Sequence, residues 1–354
     1  MCCHSSQTLK TISVPHQILL ARSGVRFSAA ENETVLAAGL RQGLALPFGC
    51  QSGGCGSCRV RRLSGQVRYE TEPLALSEAE LKADYILMCL AQPRSDLELD
   101  LHQPAQLDEL RPRQVPARVV GKRMLAHDVI GLTLQLSRQP AFRYLPGQYV
   151  DFLLADGRRR SFSIANADGA HSGHLEFHLR VTPGGRFAHY VQDEMPERTV
   201  LHLEGPLGAF YLREDSDRPA LLISGGTGFA PIQGMLEAAF AAHSRRTFHL
   251  FWGARAKPDL YLDARAREWV TQHGNFRYTP VLSEPETDWH GERGLVHETL
   301  LRAYPKLAGH EAYLAGPPAM VLAGKRSFTA AGLDADHLFY DSFDYAFETW
   351  PSKK

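Results

Sequence analysis

Short apolar runs separated by turn residues recur along the first hundred residues, and they predict a small β-rich domain at 8–102. Within 17–29, the pair Ser23-Gly24 lies between two apolar runs, which predicts a β-hairpin. Asn32 can cap a helix that continues to about residue 42, because apolar side chains recur there on one helical face. The domain therefore combines strands with one helix.

The rest of the chain shows two further patterns behind a polar, proline-bearing stretch at 103–116, which we interpret as a linker. Residues 117–215 contain short strand candidates at 150–154, 161–165, 175–181 and 200–203. Residues 216–354 contain strand candidates at 220–223, 249–253 and 312–316, and a helix candidate at 232–242. Strands that alternate with helices predict a parallel, doubly wound sheet in this last domain.

Composition narrows the class of protein. The chain has 354 residues, with 39 Lys and Arg against 39 Asp and Glu. This balance argues against a nucleic-acid binder, which normally carries a basic face. With 44% hydrophobic and 22% charged residues, the chain is typical of a globular protein. Its apolar runs are too short for a membrane span, and its start lacks a secretory pattern, so we expect a cytoplasmic protein without a membrane partner.

The cysteines give the strongest chemical signal. Four of the six show the spacing C-x4-C-x2-C followed by a more distant cysteine: Cys50, Cys55, Cys58 and Cys89. This is the plant-type [2Fe–2S] ligand spacing, and the glycines between the first three allow close approach of the backbone. A thioredoxin-like pair at 55–58, a structural zinc site and a set of buried thiols are the alternatives. A redox pair normally opens a helix, and zinc sites usually consist of two separate C-x2-C pairs.

Further segments follow the cysteines in a fixed order: RSFS at 160–163, HLR at 178–180, GGRFA at 184–188, GGTGFAP at 225–231 and AGPP at 315–318. Together with the cysteines they resemble the flavin-dependent ferredoxin–NAD(P)H reductases that carry an N-terminal plant-type ferredoxin domain. This family includes reductase components of bacterial oxygenases and the CDP-6-deoxy-glucoseen reductases. The resemblance covers nearly the whole chain. It implies a multidomain α+β and α/β fold, with a β-grasp ferredoxin domain, an antiparallel β-barrel FAD domain and a doubly wound NAD domain.

The resemblance also implies an FAD site. Arg160 would hold a phosphate of FAD, Phe162 would pack on the flavin where the family usually has tyrosine, and Ser163 would lie near the flavin N5. Ala188 replaces a serine or threonine, so one phosphate contact is expected to be missing. We expect Arg158 and Arg159 to form a solvated turn. The full set of FAD-binding candidates is Arg160, Ser161, Phe162, Ser163, His178, Leu179, Arg180, Gly185, Arg186, Phe187 and Ala188.

The nicotinamide site implied by the resemblance comprises Gly225, Gly226, Thr227, Gly228, Gly253, Arg255, Ser283, Glu284, Gly316 and Pro317. Ala315 stands where the family usually has a cysteine beside the nicotinamide. Glu284 follows a serine at a position where NADPH-preferring relatives tend to have arginine. Because a carboxylate repels a 2′-phosphate and can accept bonds from ribose hydroxyls, we expect NADH to be preferred over NADPH.

Ser163, Thr227 and Phe343 are the candidates for a direct role in the reaction. Phe343 lies in a closing segment similar to the one whose aromatic ring shields the flavin in the family. Tyr345 and Phe347 are alternative shielding rings, and packing against the last sheet is an alternative role for Phe343.

The expected function is electron transfer from NADH through FAD and a [2Fe–2S] cluster to a partner protein. The segments at 158–166 and 223–232 are most similar to those of the CDP-6-deoxy-glucoseen reductases, which implies a sugar dehydrase as the partner, with an oxygenase component as the alternative. We expect the reductase to be a monomer. A redox sensor or carrier would not need a hydride donor. A reductase that acts only on small oxidants would not need the fused cluster domain. Both remain as alternatives.

Overall fold

The computed structural model describes residues 15–44, 46–49, 51–54, 56–101, 110–137, 140–167 and 173–343. The chain divides into two compact units, Met1–Glu109 and Leu110–Lys354. Among the described residues, none of the helices has the length and apolar character required to cross a bilayer.

The first unit is built on a mixed sheet with two short helices. Its elements are β1 (His16–Leu20), β2 (Arg26–Ala29), α1 (Val35–Arg41), β3 (Arg59–Ser64), β4 (Val67–Arg68), α2 (Glu78–Lys82), β5 (Tyr85–Leu87), β6 (Gln92–Pro93) and β7 (Leu97–Asp100). The main sheet has the order β2-β1-β7-β3-β5, and β4 pairs with β6. β1 and β7 pair in parallel, whereas the other neighbours in the main sheet pair antiparallel. This mixed sheet agrees with the predicted β-grasp domain.

The predicted hairpin is confirmed, but the predicted helix cap is wrong. β1 and β2 pair antiparallel around a turn in which Gly24 has a φ of 71°. The N-cap of α1 is Thr34, whose hydroxyl accepts a hydrogen bond from the N–H of Ala37. Asn32 lies before the cap, and its carbonyl oxygen accepts a bond from the Gln92 side chain. A threonine two positions later therefore supplies the capping oxygen.

The second unit begins with an antiparallel sheet. Its elements are β8 (Arg113–Ala126), β9 (Val129–Leu136), β10 (Tyr149–Leu153), β11 (Arg159–Ser163), β12 (His174–Arg180), α3 (Arg186–His189) and β13 (Val200–Leu207). The strand order is β11-β10-β13-β8-β9-β12. Beyond the ends of this sheet, the Ala165 N–H donates to the Glu176 carbonyl, and the Asn166 side chain bonds to backbone groups of His174 and Glu176. These bonds join the two edges and close the sheet into the predicted barrel.

Strand β8 begins at Arg113, so its first four residues lie in the stretch that we predicted as a linker. Pro116 is opposite His202 of β13, whereas pairing with β9 begins only at Ala117. On its β9 side, Pro116 therefore has no strand partner. A residue without an N–H is tolerated at such a position in a strand. Proline was consequently a poor signal for a linker here.

The second unit ends in a parallel α/β sheet. Its elements are β14 (Ala220–Gly225), α4 (Phe229–Ala241), β15 (Phe248–Ala254), α5 (Asp263–Gln272), β16 (Phe276–Leu282), β17 (Glu292–Arg293), α6 (Val296–Ala303), β18 (Glu311–Gly316), α7 (Pro318–Ala330) and β19 (Leu338–Ser342). The strands are arranged in the order β17-β16-β15-β14-β18-β19, and neighbours pair in parallel.

Alternate residues of β14 belong to separate cores on the two faces of this sheet. Leu222 packs with Phe229 of α4, whereas Leu221 and Ile223 pack with Phe328 of α7. The sheet is therefore covered on both faces, as predicted for a doubly wound fold. The strand order reverses direction between β14 and β18, and ligands bind such sheets at the carboxyl ends of the strands beside this reversal.

Candidate functional site

Two of the four predicted cluster ligands can be located. Cys58 directly precedes β3 and Cys89 follows β5, and both thiols are buried. β3 and β5 pair antiparallel, and the Met88 N–H donates to the Cys58 carbonyl at 3.1 Å. This pairing brings the two cysteine segments together, which fits a cluster bound by thiolates. Cys50 and Cys55 lie outside the described residues.

Tyr69 lies close to both of these cysteines and was not recognised from the sequence. Its hydroxyl accepts a hydrogen bond from the Leu87 N–H at 3.2 Å. Burial raises the pKa of Tyr69, and the charges of Cys58 and Cys89 raise it further. Nothing in the spacing of Tyr69 distinguishes it from a core tyrosine, so only the fold reveals its position.

The RSFS segment forms β11, and its side chains alternate between two surroundings. Ser161 donates to Asp151 at 2.6 Å, and Ser163 donates to Asp341 at 3.2 Å. Phe162 points to the other face, where its ring lies 5.3 Å from Phe152 and 5.7 Å from Phe187. Phe162 thus forms one edge of the barrel core and remains partly exposed.

The three arginines at 158–160 differ in their contacts. Arg160 is half-buried, and its guanidinium donates to the Arg159 carbonyl at 2.8 Å. Arg159 is 48% exposed, yet it forms ion pairs with Glu204 and Asp151. The hydrogen bond from Arg159 holds the pKa of Glu204 below its usual value, although burial of Glu204 opposes the shift. The predicted turn is wrong for Arg159, which begins β11 and joins an ion-pair network on its exposed side.

The GGRFA segment opens the short helix α3, which continues as a π-helical turn over Tyr190–Glu194. Phe187 and Ala188 are buried in the barrel, whereas Arg186 is exposed. Gly185 precedes the helix, and a Cβ there would lie 2.7 Å from the Thr182 hydroxyl. Arg186 and Ala188 thus lie on different sides of α3, with Arg186 exposed to solvent and Ala188 buried in the barrel.

A cavity of about 680 Å³ opens beside α3. Its wall includes two arginines, a tyrosine and apolar strand residues: Arg158, Arg186, Tyr190, Leu153, Val200 and Leu201. Arginine donors suit phosphate groups, and aromatic and aliphatic side chains suit a base. Of the predicted FAD-binding residues, Arg186 and Phe187 line this cavity, and the carboxylate of Glu194 lines it as well. Arg158 and Tyr190 were not among the predicted FAD-binding residues.

The remaining barrel candidates, His178 and Leu179, are buried. Leu179 lies in the hydrophobic core, so only its backbone remains for a cofactor contact. His178 Nδ1 lies 3.0 Å from the Tyr261 hydroxyl, and the two rings meet edge to face. Burial lowers the pKa of His178 to about 3, so this imidazole is neutral at ordinary pH. The structure places His178 against the α/β part of the unit.

Two glycine-rich turns meet at the reversal in strand order. β14 ends at Gly225 and β18 ends at Gly316, in strands paired from Ala220 to Ser224. A Cβ at Gly228 would collide with the Ala315 carbonyl oxygen. The turns therefore pack backbone against backbone, which requires glycine at 228. Thr227 is buried in the first of these turns, and Pro317 occupies the N-cap position of α7.

Arg180 covers the first of these turns. A Cβ at Gly226 would lie 3.2 Å from Arg180 Nη1, and Gly226 has a φ of 54°, which favours glycine. Among the residues that the structure describes, Arg180 Nε and Nη2 are buried without a hydrogen-bond partner. Buried guanidinium donors beside an open backbone turn fit a dinucleotide phosphate.

The remaining nicotinamide-site candidates lie at the carboxyl ends of β15 and β16. Gly253 is in β15, and the exposed Arg255 follows it. Ser283 and Glu284 are exposed after β16, and their N–H groups donate to the carbonyls of Ala254 and Arg255. The two loops are thus bonded to each other at the same edge of the sheet as Gly225. The fold therefore gathers these candidates where a dinucleotide is expected.

The last described strand joins this edge to the barrel. Asp341 of β19 accepts the hydrogen bond from Ser163, and the Phe343 N–H donates to the Gly316 carbonyl at 3.0 Å. Asp341 was not among the residues predicted from the sequence. Its position two residues before Phe343 was the one signal that pointed to it. Tyr345 and Phe347 lie outside the described residues.

Models of three protein families match successive parts of the chain. They describe a 2Fe-2S iron-sulfur cluster binding domain at 18–94, an oxidoreductase FAD-binding domain at 116–211 and an oxidoreductase NAD-binding domain at 222–325. These matches define the chain as an NAD(P)H-dependent oxidoreductase with FAD and a [2Fe–2S] cluster.

The relatives identify the family more closely. The chain is 35% identical over 326 residues to CDP-6-deoxy-L-threo-D-glycero-4-hexulose-3-dehydrase reductase of Yersinia pestis, which covers 92% of this chain and 98% of the relative. It is 34% identical to the electron transfer component XylA of Pseudomonas putida xylene/toluene monooxygenase, over 90% of this chain and 91% of the relative. The crystal structure of the Amycolatopsis cytochrome P450 reductase GcoB is 31% identical, with a TM-score of 0.72 over 93% of this chain and 98% of that one. The chain therefore belongs to the family of ferredoxin–NAD(P)H reductase-like flavoproteins with an N-terminal plant-type [2Fe–2S] domain.

Proposed function

We propose that this reductase passes electrons from NADH to a sugar dehydrase that acts on a CDP-linked 6-deoxyhexulose. The observation that carries the proposal is the 35% identity to the Yersinia pestis dehydrase reductase, which extends over 98% of that relative. When bound, FAD accepts a hydride from NADH and releases single electrons, which a [2Fe–2S] cluster can carry. The domains at 8–102, 117–215 and 216–354 would hold the cluster, FAD and NADH respectively.

The chain's own residues would bind and orient these groups. Arg160 and Arg186 would hold FAD phosphates. Arg180, which the resemblance implies for FAD, would instead hold the nicotinamide dinucleotide together with Arg255, because its guanidinium lies over the Gly226 turn. Ser163 and Thr227 would lie at the reacting ring atoms, with Asp341 fixing the orientation of the Ser163 hydroxyl. Phe343 would exclude water from the flavin face. The contact between Phe343 and Gly316 supports this assignment, because it puts the aromatic residue at the turn expected to meet the nicotinamide.

NADH would be preferred because Glu284 is exposed at the edge of the sheet that bears the nucleotide candidates. A carboxylate there repels a 2′-phosphate and suits ribose hydroxyls. We further propose that the reductase works as a monomer in the cytoplasm, where NADH is generated. Light scattering of the purified protein tests the monomer, and fractionation of the host cells tests the location.

Electrons would leave through the surface around the cysteine-bearing loop at 50–58, here called the cluster loop. Leu74 is 73% exposed, and the neighbouring Ala75 donates its N–H to Gly53 of that loop. An exposed apolar side chain at this place suits contact with another protein. Leu74→Glu should slow electron transfer to a protein acceptor and leave ferricyanide reduction unchanged. Leu63→Glu is a matched control, because Leu63 is 47% exposed on β3.

An oxygenase component is the second candidate partner. The 34% identity to the monooxygenase component XylA is nearly as high as the identity to the dehydrase reductase. A reconstitution experiment distinguishes between the two candidate partners. The FAD- and cluster-loaded reductase is mixed with NADH and either a purified hexulose dehydrase or an oxygenase terminal component. NADH-dependent product formation with the dehydrase alone supports the first proposal. Product formation with the oxygenase alone would replace it.

A further inference from the structure

The two-residue turn between β8 and β9 carries a carboxylate next to Arg180. Val129 of β9 is paired with Arg180 of β12, and the Val181 N–H donates to the Asp128 carbonyl at 2.8 Å. This register brings Asp128 Oδ2 to 3.3 Å from Arg180 Nε. The strand pairing therefore fixes the carboxylate and the guanidinium side by side.

This ion pair is only partly satisfied within the protein. The side chains of Asp128 and Arg180 are 19% and 18% exposed. Among the described residues, Asp128 Oδ1 and Arg180 Nη2 are buried without a hydrogen-bond partner, and Arg180 Nε has the ion-pair contact with Asp128 but no well-aligned hydrogen bond. Buried charged groups of this kind are costly unless another group completes their bonding. The guanidinium lies over Gly226, so a group bound at that turn would be in reach of its donors.

The same carboxylate belongs to a cluster that reaches Arg255. His127 Nε2 lies 3.8 Å from both Asp128 Oδ1 and Asp259 Oδ1. Asp259 accepts a hydrogen bond from the Ala256 N–H at 3.1 Å and lies 4.0 Å from Arg255 Nε. Two carboxylates in this cluster are thus accompanied by two arginines at the edge of the sheet. Such a charge balance favours an orienting role for the carboxylates over binding of a metal ion.

We propose that Asp128 is a positioning residue for the nicotinamide dinucleotide. Its carboxylate holds the Arg180 guanidinium over the Gly226 turn and leaves the remaining donors available to a pyrophosphate. The inference rests on the proposed role of Arg180 in nucleotide binding. Asp128 itself need not contact the ligand, because it acts through the arginine that it orients.

The test uses the full-length, FAD-loaded protein and ADP-ribose, which carries the pyrophosphate but no nicotinamide. Asp128→Asn should raise the Kd for ADP-ribose, measured by calorimetry, by about fivefold or more. The KM for NADH in ferricyanide reduction should rise in parallel, whereas kcat should stay within about twofold of the wild-type value. Asp128→Glu keeps the charge and should lie between the wild type and Asp128→Asn. Asp100→Asn removes a charge from an arginine pair in the other unit and should change none of these values.

A double-mutant comparison separates positioning from stability. In an Arg180→Gln background, Asp128→Asn should have no further effect on the Kd for ADP-ribose, because the residue it orients is gone. A folded, FAD-loaded Asp128→Asn protein with an unchanged Kd would overturn the inference and leave the proposed function intact. An equal effect in both backgrounds would likewise assign Asp128 a purely structural role. If the wild type fails to reduce ferricyanide with NADH, the proposed function itself is lost.

Discussion

The hydroxyl of Ser163 donates a hydrogen bond to the Asp341 carboxylate at 3.2 Å, although the two residues are 178 positions apart. Ser163 ends β11 of the barrel, and Asp341 lies in β19 of the parallel sheet. The bond therefore joins the segment expected to meet the flavin to the strand that ends beside Gly316. A carboxylate that accepts this bond fixes the direction of the serine hydroxyl.

Asp341→Ala should slow NADH-dependent ferricyanide reduction by about tenfold, which corresponds to roughly 1.4 kcal/mol. The FAD content should remain near that of the wild type, because the change removes no proposed flavin-binding group. Stopped-flow measurement of flavin reduction checks the rate. If Asp341 acts through Ser163, the double variant Ser163→Ala/Asp341→Ala should be no slower than Ser163→Ala alone. Asp336→Ala, an exposed carboxylate on the preceding turn, is the control, and additive losses would contradict the coupling.

The chemistry carried by local spacing was predictable from the sequence. The cysteine spacing and the glycine turns at 225–228 and 315–318 are short patterns whose geometry is set by a few adjacent residues. The alternation of strands and helices after residue 216 also predicted the parallel sheet, because burial on both faces gives its strands continuous apolar runs. The family models and relatives confirm the resulting fold and class of enzyme.

Residues that act through strand register were not predictable in the same way. Asp128 reaches Arg180 because β9 and β12 pair, and Asp341 reaches Ser163 because β19 lies beside β18. The strand pairing that brings each carboxylate to its partner cannot be read from the residues next to that carboxylate, even where, as for Asp341, a candidate aromatic residue lies two positions away. The prediction of the N-cap of α1 was wrong for a local reason, since Asn32 and Thr34 are both suitable capping residues and lie two positions apart.

The cluster assignment gives a second prediction. Cys58→Ser should remove the iron–sulfur absorbance and leave FAD bound, because the two groups would be held by different domains. Ferricyanide reduction by NADH should largely persist, whereas cytochrome c reduction should collapse. Cys2→Ser, which lies outside the ligand spacing, is the matched control. Loss of both activities in a folded variant that retains FAD would contradict a linear order of electron transfer.

Nucleotide preference can be tested at Glu284. Glu284→Arg replaces a repelling charge with an attracting one, which is worth about 1–3 kcal/mol at such a site. The ratio of kcat/KM for NADPH to that for NADH should therefore rise by about fivefold or more. Glu286→Arg makes the same charge change two positions away on the exposed loop and should have a much smaller effect. Equal use of both nucleotides by the wild type would contradict the proposed preference.

The buried imidazole of His178 predicts a pH dependence of stability. Burial lowers its pKa to about 3 in the folded protein, whereas an unfolded histidine titrates near 6.5. The unfolded state therefore binds more protons between these values, and stability should fall as the pH drops below about 6.5. At pH 5 the loss from this group is about 2 kcal/mol. The Tm difference between wild type and His178→Gln should accordingly narrow from pH 7 to pH 5, and a constant difference would show that His178 is not responsible.

Substitution of Phe343 distinguishes between two roles for its ring, shielding of the flavin and packing against the sheet. Its N–H donates to the Gly316 carbonyl, and its side chain is half-buried at the end of β19. If the ring covers the flavin, Phe343→Ser should leave Tm and FAD content nearly unchanged and alter nucleotide affinity or the rate of flavin reduction by about tenfold, or roughly 1.4 kcal/mol. If the ring only packs against the sheet, the same change should cost several kcal/mol of stability, as large-to-small core substitutions do. Flavin reduction in the folded fraction would then be normal.

Phe328→Ser is the matched control for packing, because Phe328 is fully buried among the residues that cover the sheet. A Phe343→Ser protein that loses stability as Phe328→Ser does, with normal flavin reduction, would refute the shielding role.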